Sequence, residues 1–415
     1  MANPWSVSNA ELSGLTAPAP DVFAKCVYPR LDEYRAAEQL GMLPWYREMA
    51  SQSGPVVTHE GKPVIMLGSN NYLGLVSDER VKQAAIEAVQ RYGTGCTGSR
   101  LMNGTLALHR ELEEGLAGWL GFDACLVFTT GYSVNLGVVS TLVEANDAVF
   151  LDSASHASLI DGGRLSTGTL RSFRHNLPSS LRQRLRAWRE KHGDTGGALV
   201  AVDGVYSMEG DLAPVTEIAE VCAEHGARLL VDEAHALGVL GPEGRGVAAA
   251  AGIKPDLVMG TFSKSLASCG GFIAGPQVVI DYLRIACRPL LFTAAGVPAA
   301  LGAALAAMRI AREGDDLRAA ARARVRQLHA GLRDLGYQVG DEPSGPIIPI
   351  HVGHDWDAGL LWRALLDRGV YTNCAIAPAV TPGRALLRTS VMASHSPEHI
   401  AAALSAFEEA RSTLA

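Results

Sequence analysis

Apolar residues along the chain recur with two different periods. In "DERVKQAAIEAVQRYG" (78–93) and "LHRELEEGLAGWLG" (108–121) they fall at steps of three and four, and each run closes on a glycine. That spacing predicts two amphipathic helices. The runs "GALVAVDGV" (197–205), "ARLLVDEA" (227–234) and "PDLVMGTF" (255–262) are short and largely apolar, as strands covered on both faces require. "ACLVFTT" (124–130) and "DAVFLD" (147–152) are apolar runs of similar length, and "VTEIAEVCAEHG" (215–226) restores helical spacing between two of the strands, a βαβ unit. Upstream, "RLDEYRAAEQLGM" (30–42) reads as a helix and "GKPVIMLGSNNYLGL" (61–75) as a short strand entering a polar turn. Beyond residue 296 a long Ala/Arg-rich helical region (298–336) leads to strands "GPIIPIHV" (345–352) and "ALLRTSV" (385–391), which flank the helix "DAGLLWRALLDRG" (357–369). The pattern predicts an α/β protein in three parts: an N-terminal arm and helix (1–65), a large domain on a mostly parallel sheet (66–295), and a smaller C-terminal α+β domain (296–415).

Composition narrows the function. The 415 residues are 48% hydrophobic, enough for a substantial core, and 36 Lys plus Arg against 43 Asp plus Glu leave a net charge of −7. A mildly acidic chain lacks the clustered positive charge that nucleic acid or anionic lipid demands. The first residues, "MANPWSVSNAELSGLTAPAPD", have no basic start followed by an apolar run, so no signal peptide is expected. No apolar stretch is long enough to cross a bilayer. Seven scattered cysteines without paired spacing suit a reduced, cytoplasmic protein.

This charge balance bears on "LLVDEAHALG" (229–238), whose Asp232-Glu233-Ala234-His235 spells the box of ATP-driven helicases. Such a box works beside a Walker A loop, and none is present. Asp232 and His235 instead follow an apolar strand, where open α/β sheets place ligands. Two other motifs lose their sharper reading on context. "GTGCTG" (93–98) has dinucleotide-fingerprint spacing but follows a helix instead of a strand, so it reads as a glycine-rich loop near an active site. "HVGHDWD" (351–357) reads as a strand end before an Asp-capped helix, and no metal site is expected.

The strand "PDLVMGTF" runs on into Ser263 and Lys264, with Thr261 just before. Two hydroxyls beside one lysine suit a phosphorylated aldehyde: the hydroxyls hold its phosphate and the amine forms a Schiff base. Pyridoxal 5′-phosphate (PLP) also needs a buried carboxylate to keep its ring nitrogen protonated, and Asp232 supplies one. In "FTTGYSVNLG", Gly131 and Tyr132 open a helix after a strand, where free N–H groups favour phosphate. In "DSASHASLIDG", His156 follows another strand and can lie against the ring face. Four sites in this order, each after a strand, point together to PLP.

From about Leu31 to the C-terminus the chain resembles the α-oxoamine synthases, fold-type-I PLP transferases with a seven-stranded-type sheet. The resemblance rests on "GSNNYLGL", "TGSRLMNGT", "TTGYSVNLG", "DSASHASL", "DGVYSMEGD", "VDEAHALGVLGPEGRG", "GTFSKSLASCGGF", "RPLLFTA" and "LLRTSV". It implies decarboxylative condensation of a small amino acid (serine, glycine or alanine) with an acyl thioester of coenzyme A or a carrier protein, giving an α-aminoketone, CO2 and free thiol. It implies that Lys264 binds the cofactor and removes the α-proton, that Asp232 pairs with the ring nitrogen, and that His235 and Ser207 bond the ring hydroxyl. His156 would stack on the ring; Gly131, Tyr132, Thr261 and Ser263 would hold the phosphate, joined by Thr293 of the other subunit of a homodimer. Arg388 would receive the substrate carboxylate, with Asn70 bordering the same pocket.

"GTGCTGSRLMNGT", "SFRHN", "IACRPLLFTA" and "NCAIAPAVTPGRALLR" lean toward the bacterial branch that uses serine, although that branch carries tyrosine at the position of Asn70. Arg30 and Arg35 do not match the arginine that family members use for short dicarboxylic acyl groups, so an apolar acyl chain is expected. The alternatives are a fold-type-I aminotransferase, or a member like 8-amino-7-oxononanoate synthase or 2-amino-3-ketobutyrate ligase with a short acyl donor.

Overall fold

The computed structural model describes residues 29–193, 195–377 and 379–414, and the N-terminal arm ahead of the first helix lies outside the described residues. Helix α1 (Pro29–Gln39) is followed by a hairpin of β1 (Val56–His59) and β2 (Lys62–Met66), then α2 (Glu79–Tyr92) and α3 (Ala107–Leu120). The next stretch alternates: β3 (Ala124–Phe128), α4 (Gly131–Leu142), β4 (Ala148–Asp152), α5 (Ala157–Leu165), β5 (Thr169–Phe173), α6 (Pro178–His192), β6 (Ala198–Asp203), α7 (Val215–Glu224), β7 (Arg228–Asp232), α8 (Val247–Ala250) and β8 (Leu257–Thr261). Strand β9 (Gly271–Gly275) and helices α9 (Gln277–Ala286), α10 (Arg288–Leu291), α11 (Pro298–Glu313) and α12 (Asp315–Asp334) come next. The chain ends with β10 (Ile347–Gly353), α13 (Asp355–Asp367), β11 (Val370–Tyr371), β12 (Asn373–Ala375), β13 (Ala385–Ser390) and α14 (Pro397–Ala410).

Seven strands form one sheet in the order β3-β9-β8-β7-β6-β4-β5. Strands β5, β4, β6, β7 and β8 pair in parallel, whereas β9 is antiparallel to both β8 and β3. The continuous apolar runs follow from burial on two faces. Val200 and Val202 of β6 pack with Leu181, Leu185 and Trp188 of α6, while Leu199 and Ala201 pack with Val134 and Val138 of α4 and Ile280 and Leu283 of α9. Each fully buried Val or Leu here is worth roughly 1.5–3 kcal/mol over an exposed one.

The sequence did not signal β9, because "GGFIAG" reads as a turn. Its glycine is a packing requirement: a Cβ on Gly271 would stand 2.8 Å from Gly131 Cα, so the start of α4 can rest directly on this strand. The long helical region is also two helices, broken at Gly314. Buried Arg318 holds the break by donating to the α11 carbonyls of Ala311 and Arg312 and pairing with Asp315 at 2.7 Å. A cation at a helix C-terminus meets its orphan carbonyls and dipole. Helix α13 begins at Asp355, and His354 occupies the cap position without a side-chain bond, so the Asp cap expected there is absent.

The cores cut across the contiguous division at 65 and 295. Val57, Val64 and Met66 of the β1–β2 hairpin share a core with Leu361, Trp362 and Leu365 of α13 and Ile400 and Phe407 of α14. Leu301, Leu305 and Met308 of α11 instead pack with Leu112 and Leu116 of α3 and Val127 of β3. We propose drawing the smaller unit as the β1–β2 hairpin plus the chain from α12 onward.

Candidate active site

Strands β3, β4, β6, β7 and β8 run in one direction, and the segments leaving their C-terminal ends carry the predicted groups. Asp203 and Asp232 are register partners on β6 and β7, which sets two carboxylates side by side at the sheet edge. Asp232 is buried; its Oδ2 accepts from Asn135 Nδ2 at 2.7 Å and its Oδ1 from the Ala234 N–H at 2.9 Å. Asn135 also donates to Ser158 Oγ (3.0 Å), which lies 2.7 Å from His156 Nδ1. A single hydrogen-bonded row thus joins His156, Ser158, Asn135 and Asp232. Asp203 Oδ2 accepts the His156 backbone N–H at 3.1 Å, and burial, reinforced by the neighbouring Asp232, holds its carboxyl well above the usual range.

Lys264 leaves the end of β8 into this row. Burial pushes its amine down to about 8; Asp232 opposes the shift and Arg388 adds to it. A lysine poised between its two protonation states near neutrality suits nucleophilic and proton-transfer work. Thr261 Oγ1 and Ser263 Oγ lie 2.9 Å apart beside it. Gly131 is required where it stands, since a Cβ there would meet Thr261 Oγ1 at 2.8 Å. The α4 start therefore abuts the hydroxyl pair, and its first-turn N–H groups have no intrahelical acceptor. Thr130 caps the helix by accepting from Ser133 N at 3.1 Å. Tyr132 spends its phenol on Asp161 and sets its ring edge-on to His156, which leaves its backbone N–H for an anion. Partial burial of the ring lowers the His156 pKa, with Asp232 opposing and Lys264 adding to the shift.

On the other side lies a second network. Arg388 of β13 is buried; its Nε donates to the Ser207 carbonyl (2.5 Å) and its Nη2 to Asn70 Oδ1 (3.0 Å) and Tyr72 Oη (3.4 Å). Tyr72 Oη is in turn 2.7 Å from His235 Nδ1. His235 is held well below its usual range by burial and by the Lys264 and Arg388 cations, so it is a neutral imidazole. Among the described residues Arg388 Nη1 and the Ser207 hydroxyl have no hydrogen-bond partner, which leaves both for a ligand.

Contacts and hydrogen bonds gather the predicted residues into these groups, with Lys264 tied to Asp232 and Arg388 electrostatically, and leave one apart. Thr293 sits after α10 in a segment tied to the glycine-rich loop by Ala295 N–H to Gly98 O (2.9 Å), and among the described residues no hydrogen bond links it to the groups above. Sequence reasoning missed Asn135, Ser158, Asp203 and Tyr72. Asn135 had left a signal, a lone amide inside the apolar run of α4, and Asp203 another, a carboxylate closing an apolar strand as Asp232 does.

These residues fit PLP. A buried carboxylate that forms no salt bridge among the described residues can hold a protonated ring nitrogen, and Asn135 Oδ1 is buried without a partner beside it. A lowered amine suits an aldehyde, and a glycine-opened helix start next to two hydroxyls suits a phosphate.

The fold and site define a fold-type-I PLP enzyme. A profile of aminotransferase class I and II matches residues 62–407. Serine palmitoyltransferase of Caulobacter vibrioides is 44% identical over 381 residues, covering 91% of this chain and 93% of that protein. A high-resolution structure of serine palmitoyltransferase with PLP as an internal aldimine superposes with a TM-score of 0.91 at 37% identity, covering 95% of this chain and 99% of that one. The 8-amino-7-oxononanoate synthase of Francisella tularensis superposes at 0.71 with 25% identity, over 83% and 97%. The chain belongs to the class I and II aminotransferase family, within its α-oxoamine synthase branch. It is a PLP-dependent acyltransferase.

Proposed function

We propose that this protein condenses L-serine with a long-chain acyl thioester, losing CO2 and the free thiol and yielding an α-aminoketone. The observation that carries the amino-acid side is Arg388: a buried guanidinium with Nη1 unclaimed, close enough to Lys264 to lower its pKa. A carboxylate received there brings its α-carbon into the reach of that amine. The names of the 37–44% identical relatives support serine and a long acyl group, and Arg35 is spent on Asp32 (3.9 Å) instead of a distant carboxylate.

When bound, PLP supplies an electron sink conjugated with the amino-acid α-carbon. Asp232, fixed by Asn135 and Ala234 N–H, keeps a proton on the ring nitrogen, the condition for that sink. Gly131, Tyr132, Thr261 and Ser263 would hold the phosphate, and His235 with the Ser207 hydroxyl the ring hydroxyl. Lys264 Nζ takes the α-proton and later returns one. Arg388 would receive and orient the substrate carboxylate, and His156 would pack against the cofactor ring. The thioester carbonyl accepts the new carbon–carbon bond and the thiolate departs.

We further propose a homodimer in which Thr293 of the second copy completes the phosphate site. Met102 and Phe292, 79% and 72% exposed, support it, because they lie in the joined 98–104 and 292–297 segments. No helix among the described residues is long and apolar enough to cross a membrane, and a cytoplasmic location is part of this proposal.

The test is a spectral titration of the purified protein with glycine, alanine and serine, then mass analysis of products from mixed acyl thioesters. Serine with a long acyl chain should dominate. Preference for succinyl or pimeloyl thioesters would instead support the second reading, favoured by the likeness to 8-amino-7-oxononanoate synthase. Oxo-acid formation without CO2 or thiol release would return the chain to simple transamination.

A further inference from the structure

We propose that His175 is a positioning residue that fastens the loop carrying His156 to the loop carrying Ser207, and so fixes both ends of the amino-acid site. This rests on the function proposed above. His175 follows β5 and touches none of the groups assigned to cofactor or substrate. Its Nδ1 is 2.8 Å from Asp152 Oδ1, at the end of β4, and its Nε2 is 3.0 Å from Asp211 Oδ2, beyond Ser207. The loop from Asp152 to His156 is drawn onto the same residue: the His175 N–H donates to Ser153 Oγ (3.0 Å) and the Asn176 N–H to Asp152 Oδ2 (2.8 Å). The second loop closes on itself through Tyr206 N–H to Asp211 O (3.0 Å), and Asn176 Nδ2 reaches both Asp211 Oδ2 (2.8 Å) and Leu212 O (3.0 Å). Tyr206 sets its ring edge against the imidazole at 4.5 Å.

Two carboxylates on one imidazole require both nitrogens to donate, which only the cationic ring does. The bonds to Asp152 and Asp211 outweigh partial burial and push the His175 pKa up to about 10. Burial opposes charge on Asp152, but the His175 bond and the Ala154 and Asn176 N–H groups prevail and hold its carboxyl below the usual range. Tyr206 and Asp203 also face this cluster; burial, aided for Asp203 by the neighbouring Asp232, holds the pKa of each well above its ordinary value. The consequence runs outward on both sides. Asp152 anchors the turn that delivers His156, and the Ser207 carbonyl is the acceptor for Arg388 Nε.

Asp211→Ala cuts only the Ser207 side, at a half-exposed position. It should raise KM for the amino acid roughly tenfold, the cost of one charge-assisted hydrogen bond, while kcat, PLP affinity and melting temperature stay near wild type. Asp211→Glu should restore the wild-type KM. His175→Gln can satisfy one carboxylate but not both, and should also alter the circular dichroism of bound PLP through His156. An Asp211→Ala protein with unchanged KM overturns the proposal, whether or not His175→Gln folds. A wild-type protein that shows no spectral response to any amino acid would defeat the proposed function instead and is scored separately.

Discussion

The ring side and the carboxylate side of this site are built in opposite ways. Asp232 closes β7, Lys264 and His156 follow β8 and β4, and Asn135 lies in α4 packed on the same sheet, so their partners lie within that sheet or the helices on it. Asn70, Tyr72 and Arg388 come from two distant parts of the chain, 318 residues separating Asn70 from Arg388, and converge on one guanidinium. The first half inherits its geometry from β-sheet register, which fixes Asp203 opposite Asp232 residue by residue. The second depends on how two cores meet. The ring side should therefore fail abruptly when a single group is removed, and the carboxylate side by degrees.

The largest expected effect is on the ring side. Lys264→Ala should lower kcat by about 10³-fold or more, measured as thiol release, because both proton transfers at the α-carbon lose their carrier. Asp232→Asn keeps the shape of the carboxyl but not its charge. It should retain PLP and slow α-proton exchange with deuterium by roughly 10²-fold, in keeping with the loss of a strong electrostatic group. Arg388→Lys replaces a fork by a point charge and should raise KM for the amino acid by about tenfold or more with a smaller change in kcat. Tyr72→Phe should cost only severalfold in the same KM, since Asn70 still braces Arg388.

The smallest effect is a pH dependence. Below about 8 the Lys264 amine is protonated and cannot attack an aldehyde; above it the amine is free. PLP uptake by the cofactor-free protein, followed by absorbance, should accelerate with pH and level off above about 8. A rate that is flat from neutral to alkaline pH would remove the electrostatic link between Lys264 and its surroundings.

The same contrast explains what could be read from the sequence. Strands β6, β7 and β8 were legible because burial on both faces demands unbroken apolar runs, and the groups at their ends were legible because parallel sheets open there. Strand β9 was hidden because close packing against α4 requires the very glycines that suggest a turn. The break at Gly314 was hidden because alanine and arginine favour helix on both sides of it. Tyr72 was hidden for another reason: nothing local marks a tyrosine in a polar turn as the bridge between His235 and Arg388. Arg388 and Asn70 entered only through family resemblance, as contacts across 318 residues leave no periodic trace.

Strand β13 sets Arg388, the guanidinium proposed to receive the amino-acid carboxylate, in the smaller unit, whereas the groups predicted on this subunit for the ring and its phosphate lie on or just after strands of the seven-stranded sheet. Any shift of one unit against the other would therefore change the grip on a carboxylate without moving the predicted cofactor groups.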